Sequence, residues 1–241
     1  MKKSSLILGA GLITVMMVTS CGGGGSKKET AATSNKDTVA TSNEKAAATS
    51  NEVTIGKQVW MAQNLNVDTF RNGDPIPEVK TKEEWEKAGN NKQPAWCYYD
   101  NDPANGKKYG KLYNWYAVND SSGLAPKGWH VPSDEEWTIL TDFLGGEKVA
   151  GTKMKSKSGW QENGNGTNES GFSGLPGGSC GINGDFSNVG GGGGWWSSSE
   201  YNTEENNTTD AWVRLMDYSR GSAYRIYGNK KEGFSVRCLR D

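Results

Sequence analysis

The stretch Gly128-Trp129-His130-Val131-Pro132-Ser133-Asp134-Glu135-Glu136-Trp137, continued to Leu144-Gly145-Gly146, decides the reading of the fold. Ser133 and Glu136 have capping-box spacing. The hydroxyl can accept the Glu136 N–H while the carboxylate reaches back to the Ser133 N–H. Trp137, Leu140, Thr141 and Leu144 then share one face, and Gly145-Gly146 ends the helix. A second box, Thr81-Lys82-Glu83-Glu84, predicts a shorter helix to Ala88, and aromatic-rich Lys111–Val118 reads as a third. After Gly159 the chain turns to alternation. Trp212–Leu215, Ala223–Tyr227 and Phe234–Cys238 read as short strands joined by Gly-rich links. Strands mixed with few helices predict an α+β domain.

Working outward, the 241 residues leave room for one such domain plus appendages. Lys and Arg total 27 against 28 Asp and Glu. No basic excess exists to hold a phosphate backbone, so nucleic acid is not an expected partner. The single histidine, His130, rules out every paired-His metal site. All 10 Trp, 9 Tyr and 5 Phe fall after residue 52, which sets the domain at 53–241. Residues 1–20 carry Lys2-Lys3 and then the apolar run Leu6–Val18, too short for a membrane span of about 20 residues and suited to a signal peptide. The run closes in Val18-Thr19-Ser20-Cys21, which resembles a bacterial lipobox and implies that Cys21 is acylated, with palmitate-type chains holding the protein to the membrane. Gly22 permits the outer membrane. The absence of acidic residues in Gly22–Lys28, just after Cys21, leaves the surface and periplasmic faces both open. Residues 21–52 form a tether in which Ala-Thr-Ser-Asn recurs at 32–35, 40–43 and 48–51. Such a segment buries too little apolar surface to order itself. It has a root-mean-square span of about 30 Å.

The blocks Ile55–Asn66, Trp96–Asp102, Tyr109–Trp115, Gly128–Trp137, Gly171–Gly178, Trp195–Glu200 and Gly233–Cys238 occur in that order across the domain. Together they resemble the Fibrobacter succinogenes major paralogous (FISUMP) domain, a family of envelope lipoproteins and surface proteins. Val131–Trp137 and the closing Phe-x-Val-Arg-Cys are also similar to the C-type-lectin-like and formylglycine-generating-enzyme group. That resemblance implies a C-type-lectin-like fold: a twisted antiparallel sheet in which both termini meet, two main helices, and long irregular loops that carry any ligand. Function does not follow from fold. The family often has cysteines near positions 106 and 125, occupied here by Gly106 and Ala125, and usually none at Cys180. Outside the cytoplasm thiols tend to pair. Cys97, Cys180 and Cys238 allow three pairings, of which Cys180–Cys238 is the working choice. The copper-binding cysteine pair of the formylglycine-generating enzymes has no counterpart near the C-terminal strand, which argues against that chemistry.

Other motifs resolve into structure. Gly177-Gly178-Ser179-Cys180-Gly181 fits a nucleophile elbow, but turn residues follow where a helix is needed and the one His lies upstream. His130 lacks a patterned nucleophile and reads as a structural ring bonded to backbone. Asp100-Asn101-Asp102 clusters oxygens suited to Ca²⁺, yet no calcium motif accompanies it and Pro103 marks a turn, so no metal and no cofactor are expected, with a loop-built Ca²⁺ site left as the alternative. Gly190–Gly194 lacks the Lys-Ser/Thr of a phosphate loop. Trp195 and Trp196 alternate if extended, which predicts one buried and one exposed ring. Trp160, Trp195, Trp196, Tyr201 and Tyr218 are the candidate ligand-stacking residues, with Asn163, Asn165, Asn168, Asn202, Asn206 and Asn207 in neighbouring loops. The expected protein is a non-enzymatic, lipid-anchored binder of a polysaccharide or protein at the cell surface. An envelope-assembly component is the alternative, and an oxidase of the formylglycine-generating class the least favoured.

Overall fold

A computed structural model describes residues 51–202 and 209–241. The signal segment, Cys21, the tether to residue 50, Asn206 and Asn207 lie outside the described residues. The domain opens with the hairpin β1 (Glu52–Ile55) and β2 (Gln58–Met61), turning at Gly56 with φ +62°. β1 therefore starts one residue before the expected boundary. Helix α1 (Lys82–Asn90) follows Thr81, whose hydroxyl accepts the Glu84 N–H at 3.1 Å. β3 (Trp96–Cys97) and β4 (Leu112–Tyr113) flank α2 (Pro103–Tyr109), which Asp102 caps through the Ala104 N–H at 2.8 Å.

The helix expected over Lys111–Val118 divides. Asn114 caps a one-turn α3 (Trp115–Val118), so the residues before it are left extended. β5 (Trp129–His130) leads into α4 (Asp134–Phe143), where both halves of the Ser133–Glu136 box are made, at 3.2 and 2.8 Å. Gly145 and Gly146 have φ +103° and +93° and separate α4 from α5 (Glu147–Met154). β6 (Gly177–Cys180), β7 (Phe186–Val189), β8 (Gly192–Tyr201), β9 (Asp210–Asp217), β10 (Tyr224–Asn229) and β11 (Leu239–Arg240) complete the domain.

The class is α+β. The sheet expected to be single and antiparallel is instead three sheets, ordered β1-β2-β11-β5, β10-β9-β8-β6-β7 and β3-β4. β6 and β8 run parallel at Gly178 and Gly193. Both ends of the domain do meet in one sheet, Leu239 pairing with Trp60 and with His130. Among the described residues five α-helices stand where two main ones were expected; the two longest, α1 and α4, are those with capping boxes.

Phe234–Cys238 is not a strand of one sheet. Its backbone bonds are split: Tyr113 donates to Phe234, Trp196 to Ser235, Leu65 to Val236 and Met61 to Cys238. The Gly190–Gly194 run has a steric reason as well. A Cβ at Gly194 would lie 2.5 Å from the Phe234 ring, and one at Gly193 would lie 2.6 Å from the Leu175 carbonyl oxygen.

Three apolar clusters fill the interior. One gathers Trp96, Tyr113, Trp115, Trp196 and Phe234. A second gathers Trp60, Trp137, Trp160, Phe172 and Trp195 between α4 and β8–β9. The third holds Trp85, Tyr99, Cys97 and Cys180. Polar motif residues are built into these cores. Lys111, 2 % exposed, lies 3.8 Å over the Trp96 ring, and burial lowers its pKa despite Asp68. Asn114 accepts from the Ala95 and Ala117 N–H groups and donates to Gln93.

Candidate ligand-binding surface

Strands β8, β9 and β10 place Trp195, Arg214 and Arg225 in one cross-strand row and Trp212 and Tyr227 in another, all on one face. Helix α4 covers this face as far as its first residue, Asp134. There Asp134 Oδ1 accepts Arg214 Nη1 at 2.6 Å and Oδ2 accepts Arg225 Nε at 2.8 Å. The Arg214 end is 2 % exposed and belongs to the core. Beyond Asp134, among the described residues, the face is carried by Trp212, Tyr227 and Tyr201.

Tyr201 stacks on Tyr227 with centroids 4.3 Å apart and planes within 6°. Trp212 meets Tyr201 edge-on at 4.7 Å, and the Arg225 guanidinium lies 3.3 Å over the Trp212 ring. Tyr227 is 55 % exposed. One of its faces rests on Tyr201. Such a ring is held in place before any ligand arrives, which removes ordering cost from binding. An aromatic face of this kind suits the apolar C–H face of a sugar ring. Asn202, Asp210 and Asn229 stand at the same end of the strands and supply polar groups; Asn229 Nδ2 donates to Asp210 Oδ1 at 3.3 Å. A bulge positions Tyr201: Trp196 pairs with Val213 but Glu200 with Ala211, so β8 carries two extra residues. The bulge is tied to α4, with the Asp134 N–H donating to Ser199 Oγ at 3.0 Å and the Ser198 N–H to the Pro132 carbonyl.

Of the five stacking candidates only Tyr201 lies on this surface. Trp195 and Trp196 are fully buried and Trp160 is 4 % exposed, so these three are core residues. Their indole N–H groups are spent internally: Trp195 on Asn64 Oδ1 at 2.8 Å, Trp196 on the Tyr113 carbonyl at 2.7 Å, Trp160 on Ser156 and Gly174, both at 3.1 Å. Tyr218 is half-buried against the second cluster, past the opposite end of β9. Asn165 and Asn168 shape their own loop, accepting from the Trp160 and Ser173 N–H groups. Trp212, Tyr227 and Arg225 were missed. The alternation of Trp212–Leu215 and Ala223–Tyr227 was legible, but which parity faced solvent was not.

The remaining candidates take structural roles. His130 bonds carboxylates rather than backbone: Nδ1 lies 2.9 Å from Asp241 and Nε2 3.0 Å from Glu136. Burial opposes its protonation, but these two acids prevail and raise its pKa. Ser179 lies in β6 with its hydroxyl 3.3 Å from that of Ser187; the turn Gly181–Asp185 follows it, not a helix. Cys97, Cys180 and Cys238 are buried thiols. The working pair Cys180–Cys238 is split between two clusters, whereas Cys97 and Cys180 share one. Burial raises Cys97 well above its usual value and pushes Cys238 up to about 12.

Residues 53–240 match the model of one protein family, described as the Fibrobacter succinogenes major domain. No curated protein and no solved structure matches the chain.

Proposed function

The chain belongs to the Fibrobacter succinogenes major domain family, and from that premise we propose that it is a lipid-anchored envelope protein whose domain binds a polysaccharide without catalysis. The observation that carries this reading is the Tyr227 ring, 55 % exposed and held flat on Tyr201. The non-catalytic part draws support from the polar motif residues, since Asn64, Lys111, Asn114 and Arg214 are all engaged in internal bonds. The lipobox at Val18–Cys21 supports acylation of Cys21, and Gly22 permits the outer membrane. We assign the domain to the C-type-lectin-like arrangement on the meeting of its two ends in one sheet. No metal, cofactor or nucleic acid enters this reading. An oxidase of the formylglycine-generating class finds no support in three cysteines that are all buried.

Binding of the acylated protein to insoluble cellulose and xylan tests the function. Tyr227→Ala should lose most of the retained protein while melting at the wild-type temperature. Equal retention of the variant, or no retention of either protein, counts against the reading. Protease shaving of intact and permeabilised cells tests the address.

A specific observation favours a second reading, an envelope-assembly component. Ile139 and Phe143 on α4 and Val149 on α5 are 50, 64 and 45 % exposed. Apolar side chains grouped on adjoining helices are the raw material of a protein interface.

A further inference from the structure

A cleft of about 600 Å³ opens where the β1–β2 hairpin, α2 and the Gly171–Leu175 loop meet. That volume lies within the range of about 300–1,000 Å³ typical of small-molecule sites. It shares no residue with the Tyr227 surface. Beneath it lies Arg237, 1 % exposed. The guanidinium donates to neutral acceptors: Asn64 Oδ1 from Nε and Nη2 at 3.1 and 2.8 Å, and the Met61 and Phe172 carbonyls from Nη1 at 3.1 and 2.6 Å. It also lies 4.3 Å over the Phe172 ring. Among the described residues no carboxylate pairs with it. Burial lowers its pKa to about 9, which still leaves it charged at neutral pH.

The charge above it has the same sign. Lys107 and Lys108 stand exposed on the rim, and neither has an ion-pair partner among the described residues. The cleft's one lining carboxylate, Glu52, is bonded to Arg240. A low-dielectric wall around uncompensated positive charge focuses potential into the cleft. The remaining polar lining, which includes Asn51, Gln63, Asn66, Ser156 and Ser173, is uncharged and suited to hydroxyl groups.

We propose that this cleft binds the carboxylate of a hexuronic acid unit, with Lys107 and Lys108 contacting the anion, Arg237 adding its charge from below, and the amide and hydroxyl side chains meeting the sugar hydroxyls. The protein thereby has two sugar-directed surfaces of different chemistry: an aromatic one that is indifferent to charge and a cationic one that selects acids.

Calorimetric titration of the full-length acylated protein in detergent with tri-galacturonic acid tests this, with tri-galactose and sodium sulfate as controls. The acid should bind about tenfold or more tightly than either control, and more weakly as salt rises. The double variant K107Q/K108Q should weaken acid binding about three- to tenfold with an unchanged melting temperature. Tyr227→Ala should keep the preference for the acid over the neutral sugar, so failure of the aromatic surface and failure of the cleft are read separately. Equal binding of the neutral sugar or of sulfate, no binding of the acid, an unaffected K107Q/K108Q protein, or loss of the acid preference in Tyr227→Ala each overturns the proposal.

Discussion

Trp195 and Trp196 are neighbours on β8, point to opposite faces of the sheet, and are both fully buried. Trp195 packs among Trp60, Trp137 and Phe172 under α4; Trp196 packs against Phe234 at 4.9 Å in a different cluster. β8 therefore runs between two cores. Truncating either ring should cost about 3–5 kcal/mol. Urea unfolding of Trp195→Ala and Trp196→Ala measures it, and a loss below about 1 kcal/mol for either would contradict this packing.

Asn64 joins the two ends of the domain. Its Oδ1 accepts from Trp195 and twice from Arg237, and its Nδ2 donates to the Tyr109 carbonyl at 2.8 Å. Asn64→Leu has similar bulk but leaves a buried guanidinium short of acceptors. Hydrogen bonds to a charged group contribute about 1.5–3 kcal/mol, and a buried donor left without an acceptor adds its desolvation cost. The expected outcome is a large fall in melting temperature, exceeding that of Asn66→Leu at an exposed position.

His130 clasps the C-terminal Asp241 to α4 through Glu136. Its folded-state pKa is raised above 6.5. The stabilisation is therefore full below pH 6.5 and is lost as pH rises through the folded value. NMR titration of the ring should give a midpoint above 6.5. Melting temperature should decline across that interval in the wild type and lose this component in His130→Gln.

The cysteines should be silent in the native state. Burial raises Cys97 and Cys238, and thiolate is the reacting form. Cys97, Cys180 and Cys238 should react with a thiol reagent only on unfolding. If the protein is refolded with oxidised glutathione, peptide mapping should find Cys97 joined to Cys180 and Cys238 as a thiol. A Cys180–Cys238 peptide would refute the pairing.

Much of the fold was legible because its signals are local. The Ser133–Glu136 and Thr81–Glu84 boxes need only residues three apart, and both helices begin where the boxes place them. Where a local signal competed with a distant partner, the reading gave way. Phe234–Cys238 alternates like a strand, yet its backbone is divided among Tyr113, Trp196, Leu65 and Met61. His130 reads from the sequence as a ring bonded to backbone, whereas its partners are the carboxylates of Glu136 and Asp241, far from it in sequence or set by the fold.

Sequence by itself determined the family, the two capped helices, the α+β class and the alternation of Trp195 and Trp196. Each is written in residue order or in spacings shorter than a helical turn. Tertiary structure alone decided which aromatics are exposed. Alternation fixes that two rings point apart, but exposure depends on what covers each face. At Trp195 that is α4, and at Trp196 the crossing of Phe234. Tyr227 stands past Asp134, the first residue of α4, and its ring is 55 % exposed.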